Sequence, residues 1–220
     1  MYVPEAFRLD DRDAVAEVMR AFDFALLVTA TCDTSGGGVP QASHLPFLYD
    51  PDAGPNGTLH AHMARANPQW QDFAILAERG QEALVIFQGP HSYISPTWYG
   101  AGSPNVPTWN YLAVHAYGVP RVIEDAVAKR ALLDRLVAVQ ESGLEPAWST
   151  AGLTEKYMEG MLRGLVAFEI PVTRLEAKAK LSQNKARAQF AAATAVVETA
   201  ADPLARATGQ WMRRVLEQQP

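Results

Sequence analysis

Leu59-His60-Ala61-His62-Met63-Ala64-Arg65-Ala66-Asn67-Pro68 is the stretch on which the reading of this chain turns. Residues 58–63 read as a strand. Asn67 then suits a helix N-cap and Pro68 the first helical position, with Trp70, Phe73, Ala74 and Ala77 as a buried helical stripe. The chain therefore passes from strand to helix through Ala64-Arg65-Ala66. Such a corner presents free backbone N–H groups and the positive end of the helix dipole, and Arg65 adds a fork of donors that matches phosphate. Two readings stay open at this point: a phosphate clamp for a nucleotide-like ligand, or an ordinary capped helix with a surface arginine.

Outward from the corner, the hydrophobic period alternates between strand and helix. Asp10 or Asp11 can cap a first helix whose stripe is Ala14, Val15, Val18 and Met19. Residues 24–31 form a β-rich apolar run, 35–38 a glycine turn, and 39–49 the returning hairpin partner. Residues 50–57 are a loop punctuated by prolines and glycines. Beyond the corner, strands are expected over 82–88 and 91–94, parted by Gly89-Pro90. A long loop over 95–108 follows, of the kind that usually carries function. A strand over 109–124, helices over 125–141 and 154–159, and a last strand over 165–177 complete a domain expected to span 1–183. Six or seven strands with few helices suggest a β-barrel, mainly β with peripheral helices. From 184 the composition turns alanine-rich, and helices over 184–199 and 203–218 form an expected C-terminal helical extension, 184–220.

The 220 residues are 48% hydrophobic and 20% charged, the composition of an ordinary globular protein. No apolar run approaches the length that spans a bilayer and the opening residues lack a signal-peptide pattern, so no membrane association and a cytoplasmic location are expected. The one cysteine, Cys32, reads as a packing residue. With 24 acidic against 19 basic residues the net charge is −5, which repels a nucleic-acid backbone as a whole, so any anion site must be local. Basic side chains do gather late, at Arg174, Lys178, Lys180, Lys185 and Arg187, and again at Arg206, Arg213 and Arg214.

Two further segments carry candidate chemistry. In Gln41-Ala-Ser-His-Leu-Pro-Phe47, the proline removes a ladder donor and is confined to an edge or bulge. The gap can serve a ligand's polar rim, with Leu45 and Phe47 as apolar cover, or can merely bend the strand. Tyr93, Trp98, Tyr99, Trp109 and Tyr111 crowd around the 95–108 loop and suit stacking on a flat ring. His60 and His62 share a strand face, and His44, His91 and His115 lie elsewhere. No cysteine pair, HExxH or carboxylate array joins them, so no metal is expected. Nucleophile-elbow, GxGxxG and Walker patterns are absent from the sequence.

Taken in order, several motifs resemble those of the PaiB-type FMN-binding proteins, described as negative transcriptional regulators. They are Met1-Tyr2 with Pro4 and Phe7, His44-Leu-Pro-Phe47, His62 with Ala64-Arg-Ala-Asn-Pro68 and Trp70, Tyr93-Ile-Ser-Pro96 with Trp98-Tyr99, Val106-Pro-Thr-Trp-Asn-Tyr111, and Lys180-Leu-Ser-Gln-Asn184. The resemblance covers about residues 1–187. It implies an FMN-binding split β-barrel, related to pyridoxamine phosphate oxidase-like proteins, and a homodimer with FMN at the subunit interface. By position it implies Arg65 and Asn67 near the FMN phosphate, His44, Leu45, Pro46 and Phe47 along the ring system, and Trp109 and Asn110 near the ring or across the dimer. His62 belongs to the same motif series, and Lys180 and Gln183 complete the anion site.

Three functions compete on this reading. The first is a flavin-dependent negative transcriptional regulator, against which stand the acidic charge and the lack of a DNA-reading motif before the tail. The second is an FMN-dependent oxidoreductase, a flavin reductase or oxidase, without DNA binding. A third places haem in the same groove, with a histidine as axial ligand.

Overall fold

The computed structural model describes residues 1–31, 39–100 and 104–219. Cys32, the turn expected at 35–38 and Gly102 of the expected loop lie outside the described residues. The chain divides into two compact units, one made of Asp23–Ile86 and Ala116–Leu175, the other of Met1–Phe22, Phe87–His115 and Glu176–Pro220. The fold class is the expected one: mostly antiparallel strands with peripheral helices and a helical C-terminus.

In the first unit, β1 (Phe24–Thr29) pairs antiparallel with β2 (Gln41–Pro46), from Phe24↔Pro46 to Thr29↔Gln41. The single hairpin strand expected over 39–49 is in fact two. After β2 the chain leaves for a second sheet as β3 (Leu48–Asp50), with the Phe47 N–H donating to the Asp23 carbonyl at 2.9 Å. Pro46 is the physical reason, since it cannot extend the ladder and β2 is an edge strand, where a missing donor is tolerated. β3 pairs with β4 (Thr58–Ala64), and β4 in turn pairs with β8 (Leu165–Pro171) from Thr58↔Pro171 to Ala64↔Leu165. β7 (Arg121–Val122) lies on the far side of β8, giving the order β3-β4-β8-β7.

The junction after β4 forms as expected, with a qualification. Asn67 is the N-cap and Pro68 opens the helical segment, but the first turn, Pro68–Gln71, is 3-10 before α2 (Asp72–Arg79) begins. The buried stripe is Gln69, Asp72, Phe73 and Leu76, whereas Ala74 and Ala77 are exposed. An apolar period cannot reveal this phase, because two of the buried residues are polar. Gln69 Nε2 donates to the carbonyls of Leu27 and Gln41 and to Thr29 Oγ1, each at 3.2 Å, and Thr29 Oγ1 donates to Asp72 at 2.6 Å. α3 (Ala126–Glu141) is capped by Asp125 and α4 (Glu155–Arg163) by Thr154; Leu132 and Leu136 of α3 pack against Leu48, Leu165 and Ala167.

In the second unit, Asp11 caps α1 (Arg12–Ala21), which buries Val15, Ala16, Val18 and Met19. β5 (Ala83–Ile94) starts in the first unit and continues here without a break at Gly89-Pro90, where two strands were expected. A side chain at Gly89 would put Cβ 2.9 Å from that of Leu112, so glycine permits close approach there and does not mark a turn. A 3-10 turn, Pro96–Tyr99, interrupts the expected loop. β6 (Thr108–Gly118) and β9 (Arg174–Lys180) follow β5 in the sheet order. The last strand expected over 165–177 is thus also two, β8 and β9, in different sheets. α5 (Arg187–Val197) and α6 (Pro203–Gln218) close the chain, the second capped by Asp202 with Pro203 at its first position.

Candidate functional site

Seven of the residues singled out from sequence, His44, Leu45, Pro46, Phe47, His62, Arg65 and Asn67, belong to the first unit; Trp109, Asn110, Lys180 and Gln183 belong to the second. Each group has its own geometry.

In the first unit the β4–β8 ladder runs past its last pair, with the Arg65 N–H donating to the Gly164 carbonyl at 2.9 Å. This leaves the Arg65 side chain exposed at the end of the strand. Its Nε donates to the Arg163 carbonyl at 3.0 Å and Nη2 to the Leu165 carbonyl at 3.2 Å, while the guanidinium lies 5.7 Å from the Trp70 ring centroid. A guanidinium has five N–H donors, so among the described residues three remain without a protein acceptor. Asn67 is occupied locally. Its Oδ1 accepts from the Gln69 N–H at 3.0 Å and its Nδ2 donates to Ser43 Oγ at 2.8 Å, which ties β2 to the corner.

His60 and His62 share the half-buried face of β4, as their spacing implied, and burial lowers both pKa values; Arg135 adds to the effect at His60. The Nδ1 atom of His62 is buried without a hydrogen-bond partner among the described residues. On β2, His44 is exposed and stacks on Phe24, with centroids 6.0 Å apart and planes at 25°. Leu45 is buried, Pro46 closes the strand, and Phe47, only 2% exposed, packs edge-on against Phe168 at 6.2 Å. Leu45 and Phe47 are therefore core residues.

In the second unit, Trp109 and Tyr93 are 53% and 43% exposed, with centroids 6.1 Å apart and near-perpendicular planes; His91 lies 6.1 Å from Trp109 and Trp98 6.3 Å from Tyr93. Large aromatic rings left this open offer an apolar platform. Asn110, next in sequence, is fully buried. Its Nδ2 donates to Ser182 Oγ at 2.9 Å, and the Tyr99 hydroxyl shares a hydrogen bond of 2.7 Å with the same oxygen. Ser182 holds φ = +72°, a left-handed conformation that a non-glycine residue adopts at a cost of about 1–3 kcal/mol unless its surroundings enforce it. Gln183 explains part of that enforcement: its side chain accepts from the Leu181 N–H at 2.8 Å and donates to the Ala179 carbonyl at 2.6 Å.

Around this turn lies a cavity of about 130 Å³, lined among others by Tyr99, Thr108, Asn110, Lys180, Ser182 and Lys185. Lys180 Nζ donates to the Trp109 carbonyl at 2.8 Å and to Thr108 Oγ1, and Lys185 Nζ donates to Asn105 Oδ1. Burial, then the charges of Lys178 and Lys185, lower the Lys180 pKa. Tyr99 and Lys185 had been noted in sequence only as members of an aromatic cluster and a basic run. Ser182 was missed, since nothing in a sequence marks a serine with positive φ.

An exposed cation with open donors at a strand-to-helix corner suits a phosphorylated cofactor, and the mostly antiparallel fold suits a flavin-binding protein of split-barrel class. Residues 1–174 match the family model described as "Putative FMN-binding domain", and the chain belongs to that family. It is 32% identical over 220 residues, 100% of both chains, to "Protease synthase and sporulation protein PAI 2" of Bacillus subtilis (strain 168). Its fold is shared with a "putative 5-nitroimidazole antibiotic resistance protein" from Bacteroides thetaiotaomicron, with TM-score 0.53, 16% identity, and coverage of 78% of this chain and 85% of that one. It is also shared with the flavocytochrome Anf3 from Azotobacter vinelandii, with TM-score 0.52, 13% identity, and coverage of 81% and 72%. The cofactor is a flavin, FMN by the family's description.

Proposed function

We propose that this chain is an FMN-dependent redox protein that acts on a small molecule, working as a homodimer with the flavin at the subunit seam. The observation that carries the reading is the Arg65 guanidinium, held at the strand-to-helix corner by two carbonyls and left with three N–H donors for a phosphate. Bound FMN supplies hydride-transfer chemistry, and the protein supplies orientation and electrostatics. Of the chain's own residues, Arg65 holds the phosphate, with Asn67 and Ser43 fixing the corner. His62, kept neutral at pH 7 by burial, adds no competing positive charge beside the corner. Exposed Tyr93, Val106 and Trp109 supply apolar surface for a second subunit.

A regulatory role, implied by the resemblance to PaiB-type proteins, is on this reading exercised through the flavin or a protein partner and not by reading DNA. The tail arginines support this. Arg213 pairs with Glu198, Arg214 with Glu17, and Arg187 and Arg206 donate to the Gln219 and Ala200 carbonyls. The test is the purified protein's absorption spectrum before and after NAD(P)H. A flavin spectrum that bleaches supports the proposal. A protein that stays inert to NAD(P)H yet binds promoter DNA with a steep salt dependence replaces it with a flavin-sensing regulator.

A further inference from the structure

The cavity beside Ser182 has a charge balance that the flavin site at Arg65 leaves unexplained. Lys180 and Lys185 both line it, and among the described residues no carboxylate does. Each ammonium has three donors. Lys180 uses two, on Thr108 and the Trp109 carbonyl, and Lys185 uses one, on Asn105. Among the described residues neither forms an ion pair, so at least three charged N–H donors are left over in a protein whose net charge is −5. Lys178, 6% exposed, donates to the Tyr2 carbonyl and adds a third positive charge close by. Cations gathered without a counter-charge favour an anion between them.

The size of the cavity restricts what that anion is. About 130 Å³ corresponds to roughly four water molecules, well below the 300–1,000 Å³ of a site for a drug-sized ligand. That volume suits a tetrahedral oxyanion or a carboxylate head group. The Tyr99 hydroxyl, Ser182 Oγ and the Asn110 amide also line the cavity and use their donors on one another, with Ser182 Oγ donating to Asn110 Oδ1 at 3.1 Å. The donors for an anion are therefore the open ammonium N–H groups, set beside a polar cluster whose own hydrogen bonds hold it in place.

We infer that the cavity is a second anion site, distinct from the flavin-phosphate grip, that holds the phosphate- or carboxylate-sized head group of a small molecule. Its meaning as a substrate site rests on the redox reading above; its existence as an anion site does not.

The experiment titrates inorganic phosphate into the full-length protein in a chloride buffer, followed by calorimetry, with the protein loaded with FMN and separately with riboflavin. The expected result is saturable binding of phosphate with equal affinity in both forms and with the flavin retained. In Lys185→Gln, loss of one charged hydrogen bond should weaken phosphate binding by about tenfold or more at unchanged FMN content. Three results overturn the inference: no saturable binding, binding only when riboflavin leaves the phosphate grip empty, or unchanged phosphate affinity in Lys185→Gln. The comparison of the two flavins needs no variant, so poor folding of Lys185→Gln leaves it decisive. A protein that takes up no flavin at all, but whose phosphate binding is weakened by Lys185→Gln, would remove the redox reading and leave the anion site standing.

Discussion

Replacing Arg65 by alanine separates the two jobs that its guanidinium does. Structurally it bonds the Arg163 and Leu165 carbonyls at the end of the β4–β8 ladder, at 3.0 and 3.2 Å, in an exposed setting. Such bonds contribute about 0.5–1.5 kcal/mol each, so stability should fall by about 1–2 kcal/mol, a few degrees in melting temperature for a chain of this size. Functionally, a charge-assisted bond to a phosphate is worth about 1.5–3 kcal/mol, which predicts a roughly 10- to 150-fold loss of FMN affinity. The assay is fluorescence titration of apoprotein with FMN and with riboflavin, which has the same ring and no phosphate. FMN binding should weaken by the stated factor while riboflavin binding changes little, and Arg65→Lys should fall between, keeping the charge but not the fork. If both flavins weaken equally, Arg65 acts only on the fold of the corner; if neither weakens, the phosphate lies elsewhere and the reasoning fails.

Gly209→Ala gains about 1 kcal/mol of helix propensity, yet its Cβ would sit 2.3 Å from the Glu198 nitrogen and 2.4 Å from its Cα, backbone atoms that cannot swing aside. Overpacking should win by about 1–3 kcal/mol, seen as a lower urea midpoint; a raised midpoint would contradict the α5–α6 packing. His60, His62 and His115 all have pKa values lowered chiefly by burial, so below their unfolded value of about 6.5 the folded chain binds fewer protons than the unfolded one. The stability they contribute is present above that pH and is lost on acidification. Denaturation midpoints should therefore fall between pH 7.5 and pH 5.5, and His62→Gln should flatten that slope.

Much of the local structure could be read from residue types alone. Caps at Asp11, Asn67 and Asp202 form as expected, because capping depends on a side-chain oxygen and the two or three N–H groups that follow it, while Asp125 and Thr154, expected inside their helices, also prove to be caps. Four errors share one cause. The breaks after Pro46 and Pro171, the continuity through Gly89-Pro90 and the burial of Gln69 and Asp72 each depend on a neighbour distant in sequence. Gly89 is a turn signal until Leu112 is set against it, and Asp72 is a surface residue until Thr29 donates to it.

The same division holds for the site. By itself the sequence determined the strand-to-helix corner, its arginine, the aromatic cluster around the long loop and, through motif order, the flavin family, since each depends on residue identity and short spacing. Only the tertiary structure decided which donors are occupied: that Asn67 and Gln183 hold turns in place, that Asn110 is buried, and that, among the described residues, three donors of Arg65 stay open and Lys180 and Lys185 line one cavity without a carboxylate. Hydrogen-bond capacity belongs to a residue, but what remains of it after folding belongs to the neighbours that the fold brings within about 3 Å.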